Sequence, residues 1–143
     1  EMPKIKRQPL VMSHSGIGPK SESVFALGYP WTNTLQDQHT LLEGAADKTS
    51  MLIDLKMPLN PVHSGSPLFN SQQEVVGMVL LGIHAKTVFT VKGAHHFAIP
   101  LLLLEKALKA SKIDFTGLRK KPFLTRDELI KKSRNNIVLI EAR

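Results

Sequence analysis

Between residues 9 and 99 the apolar residues fall in short runs, each cut off by Gly, Pro, Asn or Ser, and helical spacing begins only after Pro100. Short strands separated by turns, with helices confined to one end of the chain, restrict the fold to an antiparallel barrel or sandwich. Strand-like runs fall at 9–12, 23–28, 38–43, 50–55, 74–83 and 86–91, with a further short one at 96–99. In the fourth of these, Met51, Ile53 and Leu55 alternate with Leu52, Asp54 and Lys56, close to the period of two of a half-buried strand. Residues 13–21 and 29–33 read as loops, and so does the whole of 57–70.

Pro100 suits the first turn of a helix, where its missing N–H leaves no bond unmade. Leu101, Leu104, Glu105, Leu108 and Lys112 follow at helical spacing, with Leu102 and Ala107 beside them. Thr125, with Glu128 three residues on, is a capping-box signature for a second helix over 125–133. Residues 137–140 are a short apolar run that reads as a strand.

A chain of 143 residues, 42% hydrophobic and 22% charged, has the size and make-up of one globular domain. It contains no Cys, so disulfides and thiolate metal sites are excluded. The longest apolar run, 97–104, is eight residues, far short of the ~20 needed to span a bilayer. The formal charge of +7 is concentrated at the carboxy-terminal end, where residues 102–143 hold eleven Lys or Arg against five Asp or Glu. A solvated helix face accounts for such a segment. Only Phe115 and Phe123 lie among these cations, too few aromatics to stack single-stranded bases, so nucleic acid is not expected as a partner.

The run from Asn60 to Asn70 reads Asn-Pro-Val-His-Ser-Gly-Ser-Pro-Leu-Phe-Asn. Ser64 is followed by Gly65, the small Ser66, then Pro67-Leu68, and the chain soon enters the apolar run Val75-Val76-Gly77-Met78-Val79-Leu80. This resembles the nucleophile loop of trypsin-like serine peptidases, most of all the cysteine-free HtrA/Deg type, where the run is typically Asn-Pro-Gly-Asn-Ser-Gly-Gly-Pro-Leu. Three more segments match that family in the same order. Phe25-Ala26-Leu27-Gly28-Tyr29-Pro30 is similar to the strand that opens its second barrel. Glu74-Val75-Val76-Gly77-Met78 is similar to the strand after the nucleophile loop. His96-Phe97-Ala98-Ile99-Pro100 is similar to its closing strand-to-helix junction.

The resemblance implies a mainly β fold, a six-stranded antiparallel barrel of the trypsin-like type followed by C-terminal helices. Residues 1–100 would be the second barrel of a peptidase, and 101–143 a helix and basic extension packed on it or trailing it. It implies Ser64 as the nucleophile of peptide-bond hydrolysis, with the N–H groups of Val62 and Ser64 as the oxyanion hole. The substrate pocket would be walled by Leu81, Gly82, Ile83 and His95 and be apolar. The general-base His and its orienting Asp come from the first barrel in this family, and the anchors here begin with the second. They are therefore expected from an N-terminal barrel of the same precursor, the Glu1-Met2 start suggesting a piece cut from a longer chain. The partner is a protein or peptide substrate, self-association into a homo-oligomer is left open, and no cofactor, metal or membrane span is expected.

Two positions depart from the family pattern. Val62 stands where Gly normally lets a peptide turn its N–H into the hole, and a β-branched residue resists such angles. Ser66 stands for the second Gly after the nucleophile, and its small side chain is tolerable there. These departures favour an alternative, an inactive barrel kept for binding or assembly. Other histidines offer less. His14 or His39, with Asp37, Asp47 or Asp54, precede Ser64 in the right order for a self-contained triad, yet the match puts His14 near the barrel entrance. His63 is expected to be a surface loop residue that points away. His84, His95 and His96 form a poor metal set, because neighbours on a strand face opposite ways.

Overall fold

Residues Glu22–Gly28 form strand β1, and every residue from Val24 to Gly28 is buried. A strand buried on both faces needs cover on both, and this requirement explains the architecture. Val24 and Ala26 face an inner core with Ala46, Ile53, Leu55, Leu68, Val76, Val79 and Ala98. Phe25 and Leu27 face outward and are covered by Phe69, Val75 and Leu129.

The structure, a computed structural model, describes residues 10–18, 20–28, 40–49, 51–59, 63–80, 96–113 and 125–133. Among these, β1 is joined by β2 (Thr40–Lys48), β3 (Ile53–Lys56), β4 (Pro67–Asn70), β5 (Val75–Leu80) and β6 (His96–Pro100). They close into an antiparallel barrel in the order β1-β2-β3-β6-β5-β4. β4 pairs with β1 as well as β5, so β4-β1-β2-β3 is a Greek key whose return connection is 57–66. The protein is thus mainly β, a closed six-stranded barrel followed by helices, as expected.

Several boundaries differ from the sequence reading, each for a local reason. Residues 67–70, expected to be loop, form β4. Pro67 occupies the first strand position, which tolerates its lack of a donor, and Leu68 and Phe69 are completely buried on the inner and outer faces. Of the expected strand at 9–12, the described residues 10–12 form a single parallel bridge, from Met12 to Val75. β2 runs on through Gly44 to Lys48. Gly44 marks a close approach, since a Cβ there would collide with the Lys56 carbonyl and Met57. β3 starts only at Ile53. The run at 86–91, the loop at 29–33 and the strand at 137–140 lie outside the described residues.

β5 departs from strict alternation. Leu68 pairs with Gly77 but Phe69 with Val75, so Val76 is an extra residue in the ladder. This bulge lets Val76 and Val79, three apart, both reach the inner core. The hairpin before it is built by Asn70, whose Oδ1 accepts the N–H groups of Gln72 and Glu74 at 3.0 and 2.9 Å.

Helix α1 (Leu101–Ala110) starts directly from Pro100, and its buried Leu101 packs with Leu108 against Met12. Helix α2 (Arg126–Ser133) has the predicted capping box: Thr125 N–H donates to Glu128 Oε2 at 2.8 Å, and Glu128 N–H to Thr125 Oγ1 at 3.3 Å. Its Leu129 and Ile130 cover the outer faces of Phe25 and Phe69. Those two rings are register partners, stacked with centroids 5.1 Å apart and planes at 17°. Phe69→Ala is expected to lower unfolding free energy by about 3–5 kcal/mol, because the stacked ring leaves a cavity between barrel and helix. Urea unfolding checks this; a loss below about 1 kcal/mol would mean that α2 collapses onto the gap.

Candidate active site

The antiparallel alternation gives the barrel two unlike rims. At one, β2 turns into β3 through 49–52 and β4 into β5 through 71–74. At the other, the chain leaves and re-enters for the longer connections 29–39, 57–66 and 81–95. Long connections on a rigid barrel are where side chains free of core duties collect, and Ser64 lies in the middle one, just ahead of β4.

Its local geometry follows from four residues. Ser66 N–H donates to the His63 carbonyl at 3.0 Å, closing a tight turn. Gly65, at φ +86°, occupies the position that a type II turn reserves for glycine. Ser64 is the other corner residue and is exposed, while His63 and Ser66 on either side are buried. The turn is fastened to β5 at one point: Gly65 N–H donates to the Val79 carbonyl, and Val79 N–H to the Ser66 carbonyl, both at 2.8 Å. The loop's small residues therefore serve two purposes. Gly65 supplies the left-handed angle, and Ser66 fits a buried position where a larger side chain would not.

The turn also leans on β1. A methyl built on Gly28 would lie 2.8 Å from His63 Cδ2 and 2.9 Å from Ser66 Oγ. Both distances are closer than real contacts, so the backbone of Gly28 is what makes room for the turn. His63 is thereby corrected: expected on the surface and pointing away, it is 2% exposed and packed inward. In the sequence, Gly28 ends an apolar run and so marks the end of a strand. The signal for close approach was there in Gly28, but nothing in the sequence says which residue approaches.

Of the other residues singled out from sequence, Val62, Leu81, Gly82, Ile83 and His95 lie outside the described residues, as do Asp37, His39 and His84. Within the turn, the Gly65 amide donates to the Val79 carbonyl and the Ser66 amide to the His63 carbonyl. His14 sits at the opposite rim, lining a cavity of about 460 Å³ with Lys48, Thr49 and Pro100. Asp47 is bound to Lys56, whose ammonium, with help from Ser21, holds the carboxyl below its ordinary pKa. Neither is placed to act on Ser64. His96 is half-buried at the start of β6, and no group of three metal-ligating side chains occurs among the described residues.

A model of the trypsin-like peptidase domain matches residues 3–78, more than half of the chain and inclusive of the whole Ser64 turn. The chain belongs to the trypsin-like peptidase domain family. Among solved structures 79 chains match. One is the crystal structure of Rv3671c from M. tuberculosis H37Rv, in the inactive form of a serine-to-alanine mutant, with a TM-score of 0.56 at 16% identity. The match covers 78% of this chain and 56% of that one, so the chain spans just over half the length of this neighbour, and the likeness is one of fold. No curated protein matches. For this member of the trypsin-like peptidase family, the positive φ at Gly65 gives a direct check. Gly65→Ala is expected to cost about 1–2 kcal/mol in urea unfolding; no measurable loss would mean that the turn relaxes without its glycine.

Proposed function

We propose that the chain is the nucleophile-bearing part of a trypsin-like serine endopeptidase, of HtrA/Deg-like type, and corresponds to the second barrel of that enzyme. Ser64 is the nucleophile, and the N–H groups of Ser64 and Val62 form the oxyanion hole. The observation that carries this is the exposed corner position of Ser64, on a turn whose neighbours are buried and fastened to β5. A serine hydroxyl attacks an acyl carbon only when a base within hydrogen-bond reach takes its proton. Here the base and its orienting Asp come from an N-terminal barrel of the same precursor. Its imidazole approaches across the rim where 29–39, 57–66 and 81–95 emerge.

In this mechanism the Ser64 Oγ adds to the peptide carbonyl as the imidazole takes the hydroxyl proton. The two amides hold the resulting oxyanion, and the protonated imidazole then delivers its proton to the leaving amine. Water, deprotonated by the same imidazole, releases the acyl group. The pocket for the side chain before the cut is apolar, walled by Leu81, Gly82, Ile83 and His95. The barrel comprises 1–100, with 101–143 as an appended helical and basic extension.

One sequence fact favours a second function. Val62 occupies an oxyanion position where glycine is usual, and loss of one such donor costs about 10²–10³ in turnover. An inactive barrel that binds or assembles is the alternative. A fluorophosphonate probe separates the two. In the complete protein, labelling at Ser64 that disappears in Ser64→Ala supports the peptidase; no label at any pH, with the fold intact, supports the binding barrel. If Val62 limits the oxyanion hole, Val62→Gly raises turnover; equal or lower turnover would clear Val62 of that role.

A further inference from the structure

We propose that His63 is a positioning residue for Ser64, acting as a wedge between strand β1 and the turn; this rests on the peptidase reading of the same site. The ring is 2% exposed, in a loop where a polar side chain could instead have turned to solvent. Its Cδ2 edge and the Ser66 hydroxyl together fill the space above Gly28. Its own carbonyl accepts the Ser66 N–H that closes the turn. One residue therefore joins three parts: the end of β1, the turn bond and, through Ser66, the pairing with Val79.

The consequence for Ser64 is geometric. The two bonds to Val79 hold the far side of the turn, at Gly65 and Ser66. On the near side, at His63, a slot against β1 exists because residue 28 carries no side chain. The imidazole fills it, and Gly28 is the condition for its fitting. Close-packed interiors do not deform smoothly, so a ring in that slot sets one orientation of the Ser64 corner. A displacement of about 1 Å at a reacting atom can cost on the order of 10²-fold in rate, so removing the wedge should slow the chemistry far more than it loosens the barrel.

The test compares fluorophosphonate labelling of Ser64 in the complete protein with that in His63→Ala, Gly28→Ala and the double variant. Each single change is expected to lower the maximal labelling rate by about tenfold or more, at unchanged half-saturating probe concentration. The double variant should be faster than either single, because the methyl at 28 occupies space that the ring has vacated. Should His63→Ala not fold, Gly28→Ala against the unsubstituted protein carries the comparison. The wedge is overturned if the unsubstituted protein labels and the single variants label equally fast, or if the two effects simply multiply. If even the unsubstituted protein takes no label, the peptidase reading fails, and exchange of the Ser66 amide, which donates to the His63 carbonyl, then tests the wedge independently of chemistry. His63→Ala, or Gly28→Ala in its place, should speed that exchange at least tenfold; unchanged exchange overturns the proposal.

Discussion

The pairing of the Ser64 turn with Val79 is the interaction on which the rest of the site depends. Val79 is completely buried in the inner core, and its N–H and carbonyl both bond to the turn, to Ser66 and from Gly65. The side chain anchors the strand while the backbone anchors the loop. An exposed corner is held by a residue that cannot itself move without opening the barrel. That arrangement turns the stability of a six-stranded core into rigidity at one hydroxyl, as the proposed nucleophile role requires.

The closed barrel makes this possible. It has no edge strands to fray, and its Greek-key return runs from β3 back to β4 across the same rim at which the Ser64 turn sits. The bulge at Val76 shifts β5 by one residue, so that Val79 still points inward at the level of the turn. The outer face of β1 and β4 is closed separately, by the Phe25–Phe69 stack and Leu129 of α2. The closed six-stranded barrel followed by helices is consistent with membership of the trypsin-like peptidase family.

Much of this was legible in the sequence, and the rest was hidden for identifiable reasons. β1, β5, β6 and both helices stood out because their apolar spacing, Pro100 and the Thr125–Glu128 cap are local signals. β4 was not visible. Its four residues lie between Pro67 and Asn70, which read as turn residues, and only a partner on each side makes them a strand. The loop position of Ser64 was anticipated, though not its place at the corner of a tight turn. The inward packing of His63 was not, because it is set by β1, some thirty-five residues earlier in the chain. Contacts of that kind have no local signature.

One departure from family pattern, Ser66, is absorbed by the structure: its side chain is buried against Gly28 and its backbone joins the Val79 pairing. The role of Ser64 can be read most directly from a crystal structure of the complete protein with a peptidyl boronate. We expect boron bonded to Ser64 Oγ, tetrahedral, with the 63–66 turn still paired to Val79. A boronate bound elsewhere, or a Ser64 hydroxyl turned away from it toward the barrel, would contradict the assignment of Ser64 as nucleophile.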